Sequence, residues 1–369
     1  MARIDAFLKM GREQGCSDVH FTVGLPPLVR LDGELVPLKY RELTTDETLS
    51  LIDEIVDVAQ REQFHEHGAI DLSYHSAEVG RFRINVCKHV RGVAAVCRVV
   101  PERPPRLADL GLPAVAQRFT KLNSGLVLVT GAAGTGKSTT LAAMVEEINR
   151  TRNVNIITLE DPIEFVYESD RALIVQREVG SHVHSFRDGL RAALREDPDV
   201  ILVGELRDRD TIALAIEGSE TGHLVFGTLH TRGAAQAIDR MIDSFPAEGQ
   251  AQVRTTLADN LKGILAQELV RSTDGRGRKA VVEVLVVTTA VAQLIRDNKS
   301  FQIPSAMAIG RRVGMQLMDQ ALLDLVSSGS VDPDEAFIKA FDKREFIPHV
   351  TRLELLDMVG PPPPSGSGS

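Results

Sequence analysis

The chain has 369 residues, 43% of them hydrophobic and 25% charged, enough for about two domains with separate cores. Its formal net charge of −9 weighs against a surface built mainly to coat nucleic acid. Cys16, Cys87 and Cys97 form no C-x-x-C pair, which points away from a disulfide framework or zinc site and towards a reducing compartment. No apolar run is long enough for a membrane-spanning helix, and the N-terminus lacks the apolar core of a signal peptide. The expectation is a cytoplasmic protein without direct membrane insertion, reaching a membrane only through a partner.

Residues 1–100 mix short strand-like and helical runs. Leu28-Val29-Arg30-Leu31, the turn signal Asp32-Gly33 and Glu34-Leu35-Val36 predict a hairpin. Leu49, Ile52, Ile55 and Val56 predict one amphipathic helix from Thr45 to Gln60. Phe82 to Val86 and Ala94 to Val100 read as strands, giving an α+β domain with an antiparallel sheet. Arg81, Arg83 and Arg98 lie here, readable as solvated edge cations or as arginine fingers. Pro101 to Arg106 holds three prolines and reads as the start of a linker, 101–114.

From 115 to 357 strand-like runs at 126–130, 154–159, 200–203, 223–228 and 281–287 alternate with helical ones. The expectation is an α/β domain with a mostly parallel sheet and helices on both faces. Val253, Leu257, Leu261, Ile264, Leu265 and Leu269 predict one helical stripe. Met315, Met318, Leu322 and Leu325 predict another. Asp332-Pro333 predicts the start of a last helix. The tail 358–369, rich in Pro, Gly and Ser, reads as disordered.

The most informative run is Gly131-Ala132-Ala133-Gly134-Thr135-Gly136-Lys137-Ser138, followed by Thr139. It fits G-x-x-x-x-G-K-[ST], a loop whose backbone N–H groups cradle nucleotide phosphates. Leu126 to Thr130 before it reads as a buried strand. Leu141, Met144, Val145 and Ile148 after it recur at helical spacing. In this setting the chain binds ATP or GTP, with Lys137 reaching the β- and γ-phosphates and Ser138 holding Mg²⁺.

Ligands of doubly wound sheets bind at the carboxyl ends of strands. Val200 to Val203 runs into Gly204-Glu205, and Asn155 to Leu159 into Glu160-Asp161-Pro162-Ile163-Glu164. Phosphoryl transfer to water needs charge neutralisation and an oriented nucleophile. Glu205 is the first choice, as water-orienting base or Mg²⁺-shell ligand; Glu160 is second and Glu164 third. His230 leaves the carboxyl end of the next strand, where it can sense the γ-phosphate or pass a conformational signal. His223 begins that strand, on the far side. Arg195 and Arg207 are further candidates.

These blocks closely resemble the PilT family of secretion-superfamily ATPases, motors of type IV pilus retraction. Gly131 to Ser138 resembles the family's Walker A loop and Thr158 to Phe165 its Asp box. Leu190 to Asp208 resembles its Walker B block, and Thr221 to Thr231 its His box. Ser17 to His20 with Gly24 to Pro27 resembles the start of the PAS-like N-terminal domain, and Arg81 to Asn85 its arginine-bearing segment. Ile238 to Pro246 also fits.

The resemblance implies a RecA-like P-loop ATPase core behind a PAS-like α+β domain. It implies a homohexameric ring acting on an inner-membrane pilus platform protein, with a paralogous retraction ATPase as a further partner. By analogy Arg83 and Arg98 approach the nucleotide and Glu205 serves catalysis. The start of the chain close to the PAS-like domain, with no four-cysteine motif, favours the retraction branch. The loop carries Ala132-Ala133-Gly134-Thr135 where the family has Pro-Thr-Gly-Ser. Ala290 to Asp297 matches the retraction signature only at Ala290, Leu294, Ile295 and Arg296, which keeps a PilU-like accessory ATPase as the alternative. A nucleic-acid translocase is a separate class, disfavoured by the acidic balance, and a nucleotide-binding regulator with little turnover is another.

Overall fold

The computed structural model describes residues 2–31, 34–101, 103–273 and 277–358. The turn signal Asp32-Gly33 and the tail from 359 onward lie outside the described residues. The chain forms two compact units, one of Met1–Arg103 with Glu164–Val166 and one of Pro104–Ile163 with the chain from Tyr167 onward.

The first unit carries six antiparallel strands, β1 (Asp18–Thr22), β2 (Leu28–Leu31), β3 (Glu34–Pro37), β4 (Ala69–Ser76), β5 (Gly80–His89) and β6 (Gly92–Val99). Their order is β3-β2-β1-β6-β5-β4. Alternation sorts the two faces. Phe82, Ile84 and Val86 on β5 are buried, as are Val93, Ala95 and Cys97 on β6, while Arg83 and Asn85 between them are exposed. Ile4 and Leu8 of the helix Arg3–Glu13 join this core.

The single helix expected from Thr45 to Gln60 is two, Thr45–Asp53 and Val58–His67. Asp57 is the reason. Its carboxylate accepts from the Gln60 N–H at 2.8 Å, and the Gln60 side chain accepts from the Asp57 N–H at 3.1 Å. This reciprocal box satisfies orphan donors and starts a new helix.

The second unit holds β7 (Gly125–Thr130), β8 (Asn155–Glu160), β9 (Leu173–Glu178), β10 (Val200–Val203), β11 (Leu224–Leu229), β12 (Leu261–Arg271) and β13 (Arg278–Val286). The order is β13-β12-β7-β11-β10-β8-β9. Every neighbouring pair is parallel except β12 with β13. Every residue of β7 is buried, so both faces of the sheet are covered there. Leu126 and Leu128 pack with apolar side chains of the helices Arg209–Glu220 and Ala234–Asp243. Val127 and Val129 alternate to the opposite face.

The helical stripe read across Val253 to Leu269 is overturned. A helix runs only over Ala247–Asn260, and from Leu261 the chain is strand β12. β12 is buried on both faces over most of its length, which erases the alternation that marks a half-buried strand. Gly263 weakens a helix interior by about 1 kcal/mol. In the strand it is what fits, since a Cβ there would lie 2.1 Å from the Phe119 ring. The run 281–287, expected within a parallel sheet, is β13 and turns back antiparallel. β9 had no counterpart in the sequence reading. Met318, Leu322 and Leu325 fall on the helix Met318–Ser327, which Met315 precedes, and Asp332 caps the helix Pro333–Lys339.

Asp57→Ala removes a cap worth about 1 kcal/mol. Chemical denaturation should show that loss in the transition of the first unit, and an unchanged midpoint would mean the helix break has another cause.

Candidate active site

Register alone gathers one edge of the second sheet. Thr130 of β7 pairs with Leu229 of β11 on one side and Ala266 of β12 on the other. The next residues are Gly131, His230 and Gln267. Val203 of β10 pairs with Gly227 of β11 and Leu159 of β8, so Glu205 and Glu160 end at the same carboxyl edge.

The phosphate loop leaves β7 with Gly131 at φ 144°, Gly134 at 77° and Gly136 at 86°, conformations open to glycine. At Gly131 a Cβ would lie 2.3 Å from the Gln267 carbonyl oxygen and 2.6 Å from Thr135 Oγ1. Only glycine lets the loop close against β12. Thr135 donates to the Ala132 carbonyl at 2.9 Å. Gly136 caps the helix Lys137–Thr151, whose N-terminal N–H groups and dipole favour an anion. Lys137 Nζ donates to the carbonyls of Gly131 and Ala132 at 2.8 and 2.9 Å, which stretches the ammonium along the loop. Ala132, Ala133, Gly134 and Ser138 are exposed and Thr139 half-buried. A cradle closed to side chains, with an ammonium along it and an open hydroxyl at the helix start, fits a nucleotide polyphosphate.

No local pattern marks Gln267, because the apolar residues around it fall at helical spacing although the segment is strand β12. Its Oε1 accepts from Thr140 Oγ1 at 2.7 Å in the buried interior, fastening the loop's helix to β12. Beside it opens a cavity of about 580 Å³, lined by Asp109, Leu110, Gly136, Thr139, Gln267 and Arg278 among others. It lies beside the start of the phosphate-loop helix and is large enough for a nucleoside.

Glu205 and His230 meet. Glu205 Oε1 lies 3.2 Å from His230 Nε2, and its Oε2 accepts from Arg207 Nε at 2.6 Å. Arg207 also reaches Asp161 at 3.5 Å. Thr228 donates to the Gly204 carbonyl at 2.5 Å, tying the two strand ends. A carboxylate held between an imidazole and a guanidinium keeps a fixed direction and can accept from a water.

Glu160 is buried and turned back along its strand. Its Oε1 accepts from Thr158 Oγ1 at 2.7 Å and Gln176 Nε2 at 3.0 Å. Burial, with the charges of Glu160 and Glu146, pushes the Tyr167 phenol well above its ordinary value. Glu164 is exposed within Glu164–Val166, which groups with the first unit. His223 is fixed at the opposite strand end, its Nδ1 2.9 Å from the Gly218 carbonyl.

Arg83 and Arg98 belong to the first unit, directly opposite each other on β5 and β6. Arg98 Nε donates to Asp18 Oδ1 at 2.9 Å. Burial raises the Asp18 carboxyl, but the Ser17 hydroxyl and Arg98 outweigh it and hold the group below its ordinary value. Arg83 is exposed and forms no ion pair among the described residues. Arg195 is also exposed.

A glycine-closed phosphate loop on a parallel sheet, with an acid–histidine pair on the next strands, is the site of a P-loop ATPase. The Type II/IV secretion system protein family matches residues 4–337. The chain is 44% identical to the type IV pilus retractation ATPase PilT of Pseudomonas aeruginosa over 337 residues, 91% of this chain and 98% of that protein. It is 45% identical to a twitching motility protein of Neisseria gonorrhoeae over 310 residues, 84% and 83% of the two. A crystal structure of the pilus retraction motor PilT with bound ADP matches with a TM-score of 0.88 at 43% identity, covering 94% of this chain and 99% of that one. The chain belongs to the Type II/IV secretion system protein family, as a PilT-like ATPase.

Replacing Gln267 by Leu should cost about 1–3 kcal/mol by leaving Thr140 unpaired and should weaken nucleotide binding. Denaturation and equilibrium titration with a fluorescent ATP analogue test both. Unaltered binding would disconnect the phosphate loop from β12.

Proposed function

We propose that this protein hydrolyses ATP to drive type IV pilus retraction as a homohexameric ring. The observation that carries the reading is the acid–histidine pair Glu205–His230 on the strand ends beside the phosphate loop, in a chain similar to PilT over nearly its whole length.

ATP is the substrate. Lys137 neutralises charge on the β- and γ-phosphates, and the loop N–H groups hold their oxygens. Ser138 and Glu205 are the residues that would hold Mg²⁺, which supplies charge neutralisation on the phosphates when bound. Glu205 accepts a proton from, or orients, the attacking water. His230 and Arg207 fix that carboxylate. Glu160, already hydrogen-bonded by Thr158 and Gln176, shapes the electrostatics from β8, and Glu164 adds charge beyond it. Water attacks the γ-phosphorus, the bond to the bridging oxygen breaks, and ADP leaves with phosphate.

The first unit is the PAS-like domain and supplies the remaining positive charge to a neighbouring subunit's nucleotide. Arg83 is the better supported of the two candidates, being exposed and without an ion-pair partner among the described residues. Arg98 acts beside it while holding Asp18. The ring docks on an inner-membrane platform protein. A second, paralogous retraction ATPase is a further partner. Among the described residues no helix is long and apolar enough to cross a membrane.

Lys137→Ala should abolish hydrolysis, and Glu205→Gln should lower kcat by about 100-fold or more while nucleotide still binds. Mixing Arg83→Ala with Glu205→Ala subunits should restore part of the activity, because some interfaces then hold both intact groups. Full activity of Lys137→Ala would remove the chemical basis of the motor, and mixed rings without recovery would refute action across an interface.

A further inference from the structure

The four residues after His230 are held from below by buried acids that the hydrolytic chemistry does not use. His230-Thr231-Arg232-Gly233 leads into the helix Ala234–Asp243. Glu283 of β13, buried, accepts from the Ala234 N–H at 2.8 Å through Oε1 and from the Met318 N–H at 3.4 Å through Oε2. Ala234 and Met318 each begin a helix, so one carboxylate sits at two positive helix ends. Burial pushes the Glu283 carboxyl up, those two N–H groups pull it back, and the charge of Asp319 adds to the rise.

Arg232 is held by a second buried acid. Its Nε lies 3.8 Å from Glu268 Oε1, and Glu268 Oε2 accepts from Lys339 Nζ at 2.9 Å. Arg232 Nη2 donates to the Lys339 carbonyl at 3.1 Å, and its guanidinium lies 5.4 Å from the centre of the Phe341 ring. Phe341 and Asp342 in turn donate their N–H groups to Asp319 at 2.8 Å each. A cavity of about 440 Å³ opens here, with Gly233, Glu283, Met318, Asp319 and Phe341 in its wall.

The geometry points to Arg232, Glu268 and Glu283 as positioning residues for His230, clamping residues 231–234 so that the imidazole stays on Glu205 and coupling its position to the segment 333–342. This rests on the reading of Glu205–His230 as part of the hydrolytic site. The clamp has two arms. Glu283 fixes the start of the helix after His230. Arg232 ties the loop itself to Glu268, Lys339 and Phe341. A change at the γ-phosphate that moves His230 is therefore felt first at the end of the helix Pro333–Lys339.

Half of the Arg232 side chain is exposed, and Lys339 still pairs with Glu268 at 2.9 Å when Arg232 is truncated, so that acid keeps a cation. In the full-length protein Arg232→Ala should lower kcat about tenfold with nucleotide affinity unchanged, the mark of a misplaced group rather than lost binding. Added to His230→Ala, it should cause no further loss, since a clamp that acts through His230 has nothing left to position. An Arg232→Ala enzyme at full turnover, or losses that multiply in the double variant, would overturn the positioning role. A His230→Ala enzyme at full turnover would instead overturn the reading of the Glu205–His230 pair. Steady-state ATPase assays with ATP-analogue titrations of the three variants distinguish these outcomes.

Discussion

The close approach of Gly131 to β12 sets the geometry on which the site depends. The Gln267 carbonyl occupies the space that a side chain at 131 would need, and the Gln267 amide oxygen holds Thr140 one turn into the phosphate-loop helix. The loop is thereby fastened where it starts and where its helix begins. Because β7 runs parallel to both β11 and β12, the same row that ends β7 also ends at His230 and Gln267. Hydrolytic chemistry needs its groups placed to within fractions of an ångström. Here that placement is inherited from strand pairing rather than from flexible loops.

The acids of the second unit divide by their partners. Glu205 keeps some exposure and sits between a histidine and an arginine, which suits the role proposed for it towards water. Glu268 and Glu283 are buried, and each is held by cations or backbone N–H groups. An unpaired carboxylate at such depth would be strongly destabilising. Their burial is stable only while residues 231–234 and the segment 333–342 stay in place, so the same interactions that satisfy the charges also hold the loop. Glu160 lies between these cases, at the correct strand end but committed to Thr158 and Gln176.

Much of this was legible locally. β7, the glycine loop, β10 and β11 are short apolar runs that end in residues with a defined chemistry, and the acids and His230 followed from those ends. β12 was not legible, because a strand covered on both faces shows no alternation and its leucines fall by chance at helical spacing. Losing β12 also hid Gln267. β9 is an edge strand with Leu173 and Val175 partly in solvent, too mixed to stand out. The break at Asp57 was written in the sequence as Asp57 and Gln60 three apart, but the apolar spacing across it suggested one helix. That Glu205 and His230 touch depends on which strands are neighbours, which no local pattern encodes.

The exposed face of the first sheet adds a constraint of its own. Register places Arg30, Asp18, Arg98 and Arg83 side by side across β2, β1, β6 and β5. Asp18 is buried and serves two of the three arginines, Arg98 at 2.9 Å and Arg30 at 3.8 Å. The row therefore holds more positive than negative charge, and like charges opposite one another on a sheet repel. Arg98 is neutralised by its other neighbour, which leaves Arg83 as the cation whose field is uncompensated within the row. This separates the two arginines that the sequence alone treats alike. Arg98 organises the row through Asp18, and Arg83 stands exposed beside it without an ion-pair partner among the described residues.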